Sequence, residues 1–115
     1  MARYETSVRG DFSQIAGFID MELRQQSVSL SLEESFDTTA GGYRICQRVY
    51  ERYSYTGGNR ASLSVLFIET DDGAKICGIA TGGSQALFFK INTFGEEAFL
   101  ETLQIAVNKW NSQNR

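Results

Sequence analysis

Hydrophobic positions recur at helical spacing near both ends of this chain and at alternating spacing between them. Phe12, Ile15, Ala16, Ile19 and Leu23 fall on one stripe of a 3.6-residue period. Asp11 ahead of that stripe and Gln14 three residues on form a capping box, so a helix is predicted from about residue 12 to Gln25. Phe18 and Met21 lie off the stripe, and Phe18 is read as the edge of the core. Before the helix, Arg3–Val8 alternates weakly and reads as a short strand that Gly10 ends.

After the helix the period changes to two. Ser27-Val28-Ser29-Leu30-Ser31-Leu32 alternates strictly, which predicts a strand with Val28, Leu30 and Leu32 toward the core. Asp37–Gly42 reads as a loop, and Tyr43–Tyr55 as a long strand. Thr56-Gly57-Gly58-Asn59 reads as a hairpin turn, because glycine and asparagine accept positive φ. Arg60–Thr70 is the next strand, with Ala61, Leu63, Val65 and Phe67 on one face. Asp71-Asp72-Gly73 turns the chain into a strand over Ala74–Thr81, and Gly82-Gly83 bends it into another over Gln85–Ile91. Thr93 and Glu96 form a second capping box, opening a helix whose stripe is Phe99, Leu103, Ala106, Val107 and Trp110.

Short turns between strands require antiparallel pairing. The expected fold is therefore a single two-layer α+β domain over residues 1–115, a curved antiparallel sheet of five or six strands with both helices on one face. Its element order, β-α-β(4–5)-α, is like that of TATA-binding-protein or helix-grip architectures. That analogy carries no function with it.

Composition narrows the chemistry. The 115 residues suit one domain, with 42% apolar residues and a net charge of −3. An acidic balance gives no general attraction to nucleic acid or to anionic lipid. No apolar run reaches membrane-spanning length, and the first residues carry no apolar secretory core, so a cytoplasmic protein is expected. There is no histidine, which removes His-based triads and His-ligated metals. Cys46 and Cys77 have neither CxxC nor metal-ligand spacing and are expected to be free and buried near the sheet. No catalytic residue, metal site or cofactor is expected.

Two places carry candidate binding chemistry. Arg44, Arg48 and Arg52 share one face of the long strand, with Cys46 and Tyr50 between them. Three arginines and an aromatic suit phosphate or single-stranded nucleic acid, but the acidic chain weighs against that. A solvated face with charges paired to neighbours such as Glu33 is the plainer reading. Joined by Leu66 and Ile68 of the next strand, Arg44, Arg48, Tyr50 and Arg52 make a mixed surface that suits a homodimer. Gly82, Gly83, Ser84 and Gln85 form the second place, a bend at the sheet margin read as a ligand mouth, set against a simple bulge or turn.

At Tyr50-Glu51-Arg52-Tyr53-Ser54-Tyr55-Thr56-Gly57-Gly58-Asn59-Arg60, and again from Gly82 to Glu97, the chain resembles a family of small single-domain bacterial proteins of unknown function, found mainly in Gram-positive bacteria. The resemblance implies a bacterial, cytoplasmic, single-domain protein and supplies no activity, cofactor or catalytic residue. The functional expectation is a non-catalytic binding or interaction module that self-associates. The alternative is a small-molecule binder with its pocket between the sheet and the C-terminal helix, and a histidine-free enzyme ranks last.

Overall fold

Alternate residues of every strand in the middle of the sheet turn toward two amphipathic helices. The computed structural model describes residues 1–54, 59–82 and 89–114. In chain order the elements are β1 (Ala2–Arg9), α1 (Phe12–Gln26), β2 (Ser31–Ala40), β3 (Tyr43–Ser54), β4 (Asn59–Glu69), β5 (Gly73–Gly82) and α2 (Phe89–Gln113). The strands make one antiparallel sheet in the order β1-β5-β4-β3-β2. This is the expected α+β class.

Register explains where the core lies. Val8 pairs with Ala74, Phe67 with Ile76, Leu63 with Ala80 and Tyr50 with Leu63. All of these residues are buried, so they line one inner face. Both helices pack on that face and on each other. From α1 come Phe12, Ile15, Ile19 and Leu23, and from α2 Phe99, Leu103, Ala106, Val107 and Trp110, as their spacing predicts. The Asp11 side chain accepts a 3.0 Å hydrogen bond from the Gln14 amide, so the first cap forms. Phe18 meets Trp110 edge to face at 5.5 Å, at the margin of the core.

Three elements differ from expectation. Residues 27–30 are not strand, and Val28 is 94% exposed. The strand instead spans Ser31–Ala40, because Gly41 and Gly42 take φ of +60° and +84° and close a two-residue turn directly against it. Pairing Ala40 with Tyr43 at that turn draws Asp37, Thr38 and Thr39 into β2, where a loop was expected. At the other end, Phe89–Ile91 belong to α2 rather than to a sixth strand, and Thr93 lies inside the helix rather than at its cap. β5 is already bonded on both edges, to β1 and β4, so the sheet has no place beside it for another strand.

The helices pack on β1, β5 and β4. β2 forms one edge of the sheet and is exposed at every position.

Candidate functional site

Even-numbered residues of β3 turn toward the helices. Arg48 pairs with Val65 and Cys46 with Phe67, both buried core positions of β4. Arg44, Cys46, Arg48, Tyr50 and Arg52 therefore share the inner face. Toward β2 this face is not roofed by α2, and a groove of about 590 Å³ runs between α1 and the β2–β3 hairpin. Its walls include Ser13, Gly17 and Asp20 from α1, Asp37 from β2, and Arg44 and Arg48 from β3.

Paired charges organise this groove. Arg48 Nη1 donates to Asp37 Oδ1 at 2.7 Å and to the Gln47 carbonyl at 2.9 Å. The guanidinium, and next the Cys46 thiol, hold the Asp37 carboxyl below its ordinary pKa. Arg44 reaches Glu69 Oε2 at 3.3 Å and Ser13 Oγ at 3.0 Å, and its guanidinium lies 4.9 Å from the centre of the Phe12 ring. The Arg44 amide, and then its guanidinium, hold Glu69 below its ordinary pKa. Burial, followed by Asp37, pushes the Cys46 thiol up, the reverse of what a nucleophile needs.

At the inner end of the groove Asp20 accepts from Tyr50 at 2.7 Å and from Arg24 Nε at 2.9 Å. Burial, then this carboxylate, raises the Tyr50 hydroxyl far above its ordinary pKa. Further along the same face, Arg52 lies 4.5 Å over the Phe99 ring, and burial lowers its pKa.

The opposite, outer face has a different character. Its register brings together Ile45 and Ile68, Gln47 and Leu66, then Leu66 and Cys77. Val49, Leu66, Ile68 and Cys77 are half-buried there with no helix over them, and Phe36 and Ile79 are exposed. Leu66 and Ile68 therefore do not share a surface with Arg44, Arg48, Tyr50 and Arg52, and the expectation of one mixed patch is corrected. Parity within a strand is set by the strand alone. Parity between strands depends on their register, and residues 55–58, which hold most of the expected Thr56–Asn59 turn, lie outside the described residues. Tyr50 is 0% exposed, so it is core rather than surface. The partner of Arg48 is Asp37 rather than Glu33, because β2 runs further than its alternation suggested.

Gly82 ends β5 opposite Ala61, and Gly83, Ser84 and Gln85 lie outside the described residues. Cys46 and Cys77 are free and half-buried, on opposite faces of the sheet. Among the described residues no cluster of acidic and thiol side chains is placed to hold a metal. No helix there is long and apolar enough to cross a membrane. Asp37, Asp20 and Gly17 were not legible as groove residues. Asp37 reads as a loop acid, and nothing in the local pattern shows that Gly17 faces open space.

No curated protein and no solved structure matches the chain. A family model matches residues 1–111, nearly the whole domain. The chain belongs to DUF6054, a family of unknown function.

Proposed function

We propose that this domain is a non-catalytic interaction module that self-associates through the outer face of its sheet. The observation that carries this reading is the aliphatic field of Ile45, Val49, Leu66 and Ile68 on a face that neither helix covers. Monomeric proteins seldom leave a contiguous apolar field open to water.

The pattern of charge favours a second copy as the partner. Glu34, Val49, Ser64, Ile79 and Arg3 form one row across the sheet, with opposite charges at its two ends. A two-fold axis lying along β4 would stack two copies face to face, setting Glu34 of each over Arg3 of the other, with Val49 over Ile79. Such an isologous contact closes on itself and does not propagate. Catalysis has little support, since the chain has no histidine and the Cys46 thiol is held protonated. Two free cysteines accord with a reducing bacterial cytoplasm as the place of action.

Light scattering behind size-exclusion chromatography tests the reading. The wild type should run as a dimer, and Leu66→Asp as a folded monomer. Arg3→Glu should weaken the dimer, and adding Glu34→Arg should restore it. A wild type that stays monomeric up to ~1 mM, the weak end of specific association, would overturn the proposal. So would a Leu66→Asp variant that dimerises as well as the wild type.

A further inference from the structure

We propose that the groove between α1 and the β2–β3 hairpin binds a small organic anion, a carboxylate carrying a compact apolar body, with its charge on Arg48 and its body against the exposed backbone at Gly17. This site lies on the face of the sheet opposite the proposed self-association surface and does not depend on it.

Three observations converge. The groove holds about 590 Å³, within the range of small-molecule sites. Arg48 lines it and uses only Nη1 for its bonds to Asp37 and Gln47. Its Nε–H and Nη2–H groups have no partner among the described residues, so a second carboxylate can be accepted without breaking the first pair. Arg44, two inward positions along β3 beyond Cys46, likewise keeps its Nε–H free of partners among the described residues.

Gly17 supplies the third. It sits in the body of α1, where glycine is a poorer choice than alanine. Its φ is not in the left-handed region, and a Cβ built on it meets nothing within 4 Å. Packing among the described residues therefore gives no reason for a glycine. It lines the groove together with Ser13 and Ala16, small side chains set between Phe12 and Asp20 of the same helix. A ligand lying on the helix backbone uses that space. The charge of the ligand follows from the donors left over. Asp20 already accepts from Tyr50 and Arg24, and Asp37 from Arg48, so both carboxylates are charge-paired, and an anion meets the arginine N–H groups that have no partner among the described residues.

Amide NMR of the full chain, titrated with benzoate and separately with benzylamine, tests this. Benzoate should move the Gly17, Asp37 and Cys46 signals saturably, and benzylamine should leave them in place. Gly17→Leu, which fills the groove, should abolish the benzoate shifts while its melting temperature stays at or above that of the wild type. Arg48→Gln should weaken benzoate at least about tenfold, as expected for the loss of a charge-assisted contact. The monomeric Leu66→Asp variant should bind benzoate as the wild type does, whatever the fate of the dimer. Absence of saturable shifts at these amides would overturn the proposal, as would equal shifts with benzylamine. Undiminished binding by Arg48→Gln would overturn it too, even if Gly17→Leu failed to fold.

Discussion

The Tyr50 hydroxyl, carried on a fully buried ring in β3, donates a 2.7 Å hydrogen bond to Asp20 of α1. This ties the first helix to the sheet at the point where the groove ends. Tyr50→Phe leaves Asp20 with Arg24 alone and should cost about 1–2 kcal/mol at neutral pH, as for a hydrogen bond to a charged group. Urea unfolding of the two proteins measures it, and equal midpoints would show that the bond contributes nothing.

The same bond sets an alkaline limit. Folding raises the Tyr50 pKa above its ordinary value of 10.0, through burial and then Asp20. The folded state therefore holds this proton more tightly than the unfolded chain. The resulting stability is complete below pH 10 and is lost as the pH climbs from the unfolded value toward the folded one. The urea midpoint should fall above pH 10, and Tyr50→Phe should flatten that fall. Tyr43, raised by its bond to Asp71, remains in both proteins, so the difference isolates Tyr50.

Leu103, fully buried in α2 above Gly78, is a second fixed point. Leu103→Ala should cost about 2–5 kcal/mol, the usual range for a leucine cavity in a core. A loss well under ~1 kcal/mol would mean that the helix relaxes into the gap.

How far the sequence carried these conclusions varies with the physics of each element. Both helical stripes were legible because burial of one face imposes a 3.6-residue period, and Leu103 and Ile19 sit where that period puts them. β2 was not legible, since a strand exposed on both faces has no reason to alternate, and Phe36 and Asp37 carry no inward signal. The start of α2 was misplaced because Thr93 and Glu96 satisfy the pattern of a capping box whether they begin a helix or lie within one. For the groove, the arginine row was visible as a row. Its direction was not, because the register between β3 and β4 decides whether Arg48 joins Val65 or Leu66.

Glu22 and Lys109 tie the two helices together. Glu22 is only 6% exposed, and Lys109 Nζ stands 3.1 Å from its Oε1, within ion-pair range though off a hydrogen-bonding line. Lys109→Ala would strand a buried carboxylate and should cost about 1–3 kcal/mol. Because the lysine is half in water, Glu22→Gln combined with Lys109→Ala should recover most of that loss. A double variant no better than the single one would show that the lysine stem, rather than its charge, is what matters.

Gly73, at the start of β5 opposite Arg9, has no room for a side chain. A Cβ built there would run into the Val8 carbonyl oxygen and lie 2.7 Å from the Arg9 Cα. Both are backbone atoms of a paired neighbouring strand, so no side chain can swing aside to make room. Relief would require β1 to move away from β5, breaking the ladder next to Val8 and Ala74, both buried in the core. Even alanine should therefore destabilise Gly73 by more than about 3 kcal/mol, beyond the usual range for point substitutions. Gly17→Ala, the addition of the same methyl group where nothing lies nearby, should instead stabilise the chain by about 0.5–1 kcal/mol through helix propensity alone. Thermal melts of the two variants against the wild type should thus move in opposite directions. A Gly73→Ala protein that melts with the wild type would show that the edge pairing of β1 is looser than its register implies.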